Sequence, residues 1–159
     1  MTAAMSGAGQ AQVRDDGEVT GAPRWSMRSW IDAIDRPEIV DNALRRDDPY
    51  AGVALLTLVL NHPEPDVVLP RIKRALTSVS AQTRANALQS LGHDARLHGR
   101  IDADSIAHLR RALEDRTVLH GYEIRGYAGD AASDVAIFAP RRCLPRWLRR
   151  RFAGPAPRS

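Results

Sequence analysis

Leu69-Pro70-Arg71-Ile72-Lys73-Arg74-Ala75-Leu76 returns 37 residues later as Ile106-Ala107-His108-Leu109-Arg110-Arg111-Ala112-Leu113. Just upstream of each copy, Ala54-Leu55 with Leu58 returns as Ala87-Leu88 with Leu91, a shift of 33. Repeats of this length belong to helical hairpins that cannot bury an apolar stripe alone and therefore stack on their neighbours. The expected fold is all-α, a short right-handed α-α superhelix, or α-solenoid, with capping helices at its N-terminal end and disordered termini. Such a chain is first of all a binding surface.

Working outward from the repeat, Asp48 before Pro49 reads as a helix N-cap and first turn. The segment to about Asn61 is apolar nearly all round and should be the most buried helix. His62-Pro63-Glu64-Pro65 breaks it, and Asp66 is the expected cap of the next helix, with Pro70 in or just past its first turn. Ser80 opens a longer helix ending near Gly99, and Asp102 or Asp104 caps a helix running to about Asp115. Ile124, Ala128, Ala131, Val135 and Phe138 then form a stripe that Pro140 ends. Gly121, Gly126 and Gly129 in this last stretch either permit close helix contact or mark a local irregularity. Upstream, Trp25, Met27, Trp30, Ile31 and Ile34, followed by Pro37 and an Ile39, Val40, Ala43, Leu44 stripe, predict a capping hairpin. The resulting division is a disordered arm over 1–23, a repeat domain over 24–140 and an Arg-rich tail over 141–159.

Composition narrows the class. The chain has 159 residues, room for one domain, and is 43% hydrophobic but only 5% aromatic, so its interior must be aliphatic. No apolar run approaches the ~20 residues of a membrane span, and a signal peptide pattern is absent, so the expected compartment is the cytoplasm. The single cysteine, Cys143, excludes an intrachain disulfide and a cysteine-cluster metal site. Of 23 basic residues only Lys73 is not Arg, a bias that high-GC coding also produces. Residues 141–159 hold seven Arg and no acid, leaving 16 basic and 19 acidic residues elsewhere, a net −3. A near-neutral body thus carries a basic tail.

Over Leu91-Gly92-His93-Asp94-Ala95-Arg96-Leu97-His98-Gly99-Arg100-Ile101-Asp102, and again over Tyr127-Ala128-Gly129-Asp130-Ala131-Ala132-Ser133-Asp134-Val135-Ala136-Ile137-Phe138, the chain resembles a family of small bacterial HEAT-repeat proteins. The resemblance spans roughly residues 48–138. It implies the fold, and since some members look like immunity-type proteins found beside toxins, it implies a protein partner that is a toxin. The longer connection between Asp115 and Gly126 and the Arg tail depart from the family pattern.

Four sets of residues are candidates for function. Arg71 and Arg74 correspond to His108 and Arg111 across the 37-residue shift, lie off the apolar stripe, and would form a basic ridge facing an acidic protein surface, or simply a solvated face. His93 and His98, five apart, project about 140° from one another, so they cannot share a metal as an i, i+4 pair could. His98 continues the stripe of Leu88, Leu91 and Ala95 and is expected to be half-buried with a backbone carbonyl or carboxylate partner, Asp130 and Asp134 being the acids to test. In the tail, Arg141, Arg142, Arg146, Trp147, Arg149, Arg150 and Arg151 would contact an anionic membrane or nucleic-acid phosphates, or form a disordered, incidental end. Cys143 between these cations would be a more acidic thiol or a lipidation site. Phosphate loops, hydrolase elbows and metalloprotease motifs are absent from the sequence, so the function expected is a non-catalytic protein-binding module, without cofactor or metal, and the alternative is a cationic protein attached through its tail.

Overall fold

The apolar periodicity becomes seven helices in the computed structural model, which describes residues 35–154. They are α1 (Pro37–Arg45), α2 (Ala51–Asn61), α3 (Pro65–Leu76), α4 (Ala81–His98), α5 (Ala103–Ala112), α6 (Ile124–Phe138) and α7 (Arg146–Phe152). Between α5 and α6 lies a hairpin of β1 (Val118–Leu119) and β2 (Tyr122–Glu123), antiparallel with Leu119 opposite Tyr122. A 3-10 turn at Arg141–Cys143 leads into α7. The expected arm and the Trp25 to Ile34 half of the capping hairpin lie outside the described residues; α1 is the other half.

Local signals fix several helix ends. Pro37 and Pro65 sit in the first turns of α1 and α3, where a missing N–H costs nothing. Ser80 Oγ accepts from the Thr83 N–H at 3.3 Å, Asp102 Oδ1 accepts from the Ser105 N–H at 2.7 Å, and Gly99 closes α4 with φ +60°. Other expected ends move. Asp48 accepts from the Tyr50 N–H at 2.8 Å in a tight turn, so α2 starts at Ala51 without a side-chain cap. Asp66 lies inside the first turn of α3 rather than capping it, because the proline preceding it already starts the helix. Pro70 consequently falls in the helix interior. The expected run of α5 to Asp115 stops at Ala112, and the chain turns into the hairpin through His120 and Gly121, at φ 51° and 83°.

The long connection from α5 to α6 is ordered by Arg84. Its guanidinium donates to the carbonyls of Ser78 and Val79 at 2.9 and 3.1 Å, to Asp115 Oδ2 at 3.3 Å and to Thr117 Oγ1 at 3.3 Å. The carbonyls of Thr117 and Asp115 in turn accept the first N–H groups of α6, which lacks a side-chain cap.

Helix α4 is the centre of the packing, in contact with α2, α3 and α6. Helix α1 rests on α2 and α3, α5 bridges α3 and α6, and α7 closes on α6. Short reversals on either side of α3 bring α2 and α4 into like orientation, and their N-terminal turns meet at Gly52, whose position faces Asn86 and Thr83. Helices α4 and α6 run parallel, since Gly92 faces Ala131 and Asp134 while Arg96, one turn on, faces Asp134 and Phe138. One apolar cluster runs from Val40 to Leu148, and Leu55, Leu88 and Leu109 are all 0% exposed within it. The repeat positions therefore point inward, as their spacing requires.

The tail departs from expectation. Residues 146–152 are helical, Leu148 is 0% exposed, and Leu144 is buried beside it. The packed domain does not end at residue 140, and the described part of the tail is folded rather than disordered. Leu144 and Leu148, four apart, supply the apolar stripe that docks it.

Candidate interaction surface

The expected ridge is divided. Arg71 donates to Asp41 Oδ2 of α1 at 2.6 Å and to its own helix at Val67 O, also 2.6 Å, so its charge is spent holding α1 to α3. Arg74 is exposed and lies in a shallow cleft with Leu44, Arg45 and Asp47, toward α1. His108 and Arg111 sit together on α5, an Arg111 amine 3.0 Å from His108 Nδ1, at the mouth of a cleft of about 270 Å³ floored by Leu76, Leu88 and Ile124. Burial, and then the Arg111 charge, hold the His108 imidazole below its ordinary value. Lys73 reaches Asp102 at 2.9 Å and Asp104 at 3.6 Å, tying α3 to the start of α5. Burial alone would raise the Asp102 carboxyl, but hydrogen bonds from Ser105 and Lys73 outweigh it and hold the carboxyl low. In turn the Asp102 hydrogen bond raises Lys73.

The His and Asp set is not one cluster. The carboxylate facing His98 is Asp94, on its own helix, with Oδ1 at 3.9 Å from Nε2, a salt-bridge separation too long for a hydrogen bond. Asp134, expected as a partner of the imidazole, instead accepts from Arg96 with both oxygens, at 2.8 and 2.9 Å. Asp130 is exposed beside Tyr122, Gly126 and Tyr127, and His93 is half-buried. Asp94 was not among the sequence candidates, yet it is 1% exposed, and burial raises its carboxyl against the opposing pull of His98 and Arg100. The i, i+4 spacing to His98 and the three-residue step from Leu91 were the available signals. Among the described residues, no group of three or more His, Cys, Asp or Glu is placed to hold a metal ion.

Phe138, expected in the buried stripe with Ile124 and Val135, is exposed, and sequence reasoning assigned no role to the other outward apolar residues near helix ends. Leu60, Leu97, Ile137 and Phe138 lie in the last turns of α2, α4 and α6, and all are exposed, Ile137 at 65%. Arg96 covers one side of the Phe138 ring at 5.7 Å. These four exposed groups all lie near the C-terminal ends of their helices. No described helix is long and apolar enough to cross a membrane. Cys143 is exposed and unpaired.

Set against family models, curated proteins and solved structures, the chain matches none. The likeness to small HEAT-repeat proteins thus rests on the quoted residues.

Proposed function

We propose that this chain is a non-catalytic interaction module of the HEAT-like kind, a short α-α superhelix working in the cytoplasm, whose partner is a protein. The observation that carries the reading is the exposure of Leu60, Leu97, Ile137 and Phe138 in the last turns of α2, α4 and α6: large apolar side chains stand in water on helices that a well-packed interior holds fixed. A monomer gains nothing by exposing such a set, whereas a partner covering it gains roughly 25 cal/mol for each Å² of apolar surface removed from water. His108 and Arg111, the part of the expected ridge that stays together, and Arg74 offer cations to an acidic neighbour. The likeness to immunity-type proteins narrows the partner to a toxin, neutralised by covering its functional surface.

Two experiments separate these levels. A pull-down from the native host with the natural chain and with a Leu97→Asp, Ile137→Asp variant should show a captured protein lost in the variant, with helical content unchanged; an unchanged catch removes these side chains from the interface. Products of neighbouring genes, expressed singly, should include one whose toxicity the chain suppresses, and failure there ends the immunity version alone.

A further inference from the structure

The folded tail presents a second, chemically different surface. Arg146, Arg149 and Arg150, at i, i+3 and i+4 of α7, line one concavity with Arg141, Arg151 and residues 152–154, a space of about 520 Å³ open to solvent. No acid lines it. Among the described residues no ion pair involves a residue beyond Asp134, and the Nε of Arg149 is buried without a hydrogen-bond partner. Like charges gathered at such density repel one another, so the arrangement is stabilised by an anion that several guanidinium forks can share.

We infer that this concavity binds the phosphodiester backbone of duplex nucleic acid. Three features select that ligand. A protein partner would need an apolar centre, since interface cores are depleted of charge, and this surface has a cationic one. A bilayer offers these cations only surface attraction, since Leu144 and Leu148 are buried in the domain and Trp147 and Phe152 pack against its core, leaving no free apolar stripe to insert beside them. Unstacked bases would need open aromatic faces, yet Arg110 lies over Trp147 at 6.0 Å and Arg151 over Phe152 at 5.2 Å. What remains is recognition of a phosphate array by arginine alone, which positions a duplex without reading its sequence. The body, net −3 outside residues 141–159, confines this contact to the α7 end.

The test uses the full chain and a fluorescein-labelled DNA duplex of about 20 base pairs, followed by anisotropy between about 50 and 200 mM salt. Binding should be micromolar at the low end and weaken steeply with salt. Arg146→Gln with Arg150→Gln, both exposed positions, should weaken it at least tenfold at low salt and flatten the log–log salt slope by about 2. Arg46→Gln with Arg116→Gln removes the same charge from exposed positions elsewhere and should change the affinity less than threefold. The inference is overturned by an absence of binding at low salt, by equal losses in the two double variants, or by phosphatidylserine vesicles replacing the duplex as the ligand that needs Arg146 and Arg150.

Discussion

Asp94 carries a carboxylate into the interior at 1% exposure, with His98 at 3.9 Å and Arg100 and Asp102 as the other charges acting on it. Burial raises its carboxyl above the ordinary 3.8, so the folded chain holds that proton more tightly than the unfolded one. Stability contributed by the protonated form is therefore lost as pH climbs from 3.8 through the folded value. Asp94→Asn has no such titration, and its stability relative to the natural chain should rise between about pH 3 and pH 7 in urea unfolding. Parallel profiles would show that His98 and Arg100 already offset the burial. At this scale the sequence was partly legible. It placed His98 on the apolar stripe, and the structure leaves it half-buried there, but the partner chosen for it lay on the wrong helix because i, i+4 neighbours on one helix were not considered. The role of Arg84 was not legible at all, since its four acceptors come from two loops that only folding brings together.

Glycines show how elements approach one another. A Cβ at Gly52 would lie 2.8 Å from Asn86 Cβ and 3.0 Å from the Thr83 backbone, so α2 and α4 would have to separate. At Gly126 and Gly129 a Cβ meets nothing within 4 Å, and α6 is regular through both, so neither explanation offered by the sequence holds for them. Close contact is needed instead at Gly52 and at Gly92, where Asp134 Oδ2 would be 2.8 Å away. Gly52→Ala should cost about 1–3 kcal/mol, and Gly126→Ala should gain about 1 kcal/mol from helix propensity, both read from urea midpoints at constant m. Gain at Gly52 would contradict the tight α2 and α4 crossing. Caps at Ser80, Asp102 and Gly99 were legible because each is a local choice of side chain or backbone angle. The start of α2 and the end of α5 were not, because a tight turn at Asp48 and the Arg84 network compete with the local signal.

For the whole molecule, periodicity was enough to place Leu55, Leu88 and Leu109 in one interior, because a 3.6-residue stripe has one buried side whatever the neighbours. It could not tell that the tail joins them, since seven arginines obscure a stripe of only two leucines. The consequence is that α7 is part of the domain, so the cationic surface is better probed by charge substitution than by truncation. If all helices from α1 to α7 share one interior, damage at its C-terminal end must be felt at the other. Leu148→Ala should cost about 2–5 kcal/mol, and native-state hydrogen exchange should report that loss equally for the slowest amides of α2, α4 and α6. Slowest amides of α2 that keep their natural protection while those of α6 lose theirs would contradict a single shared interior.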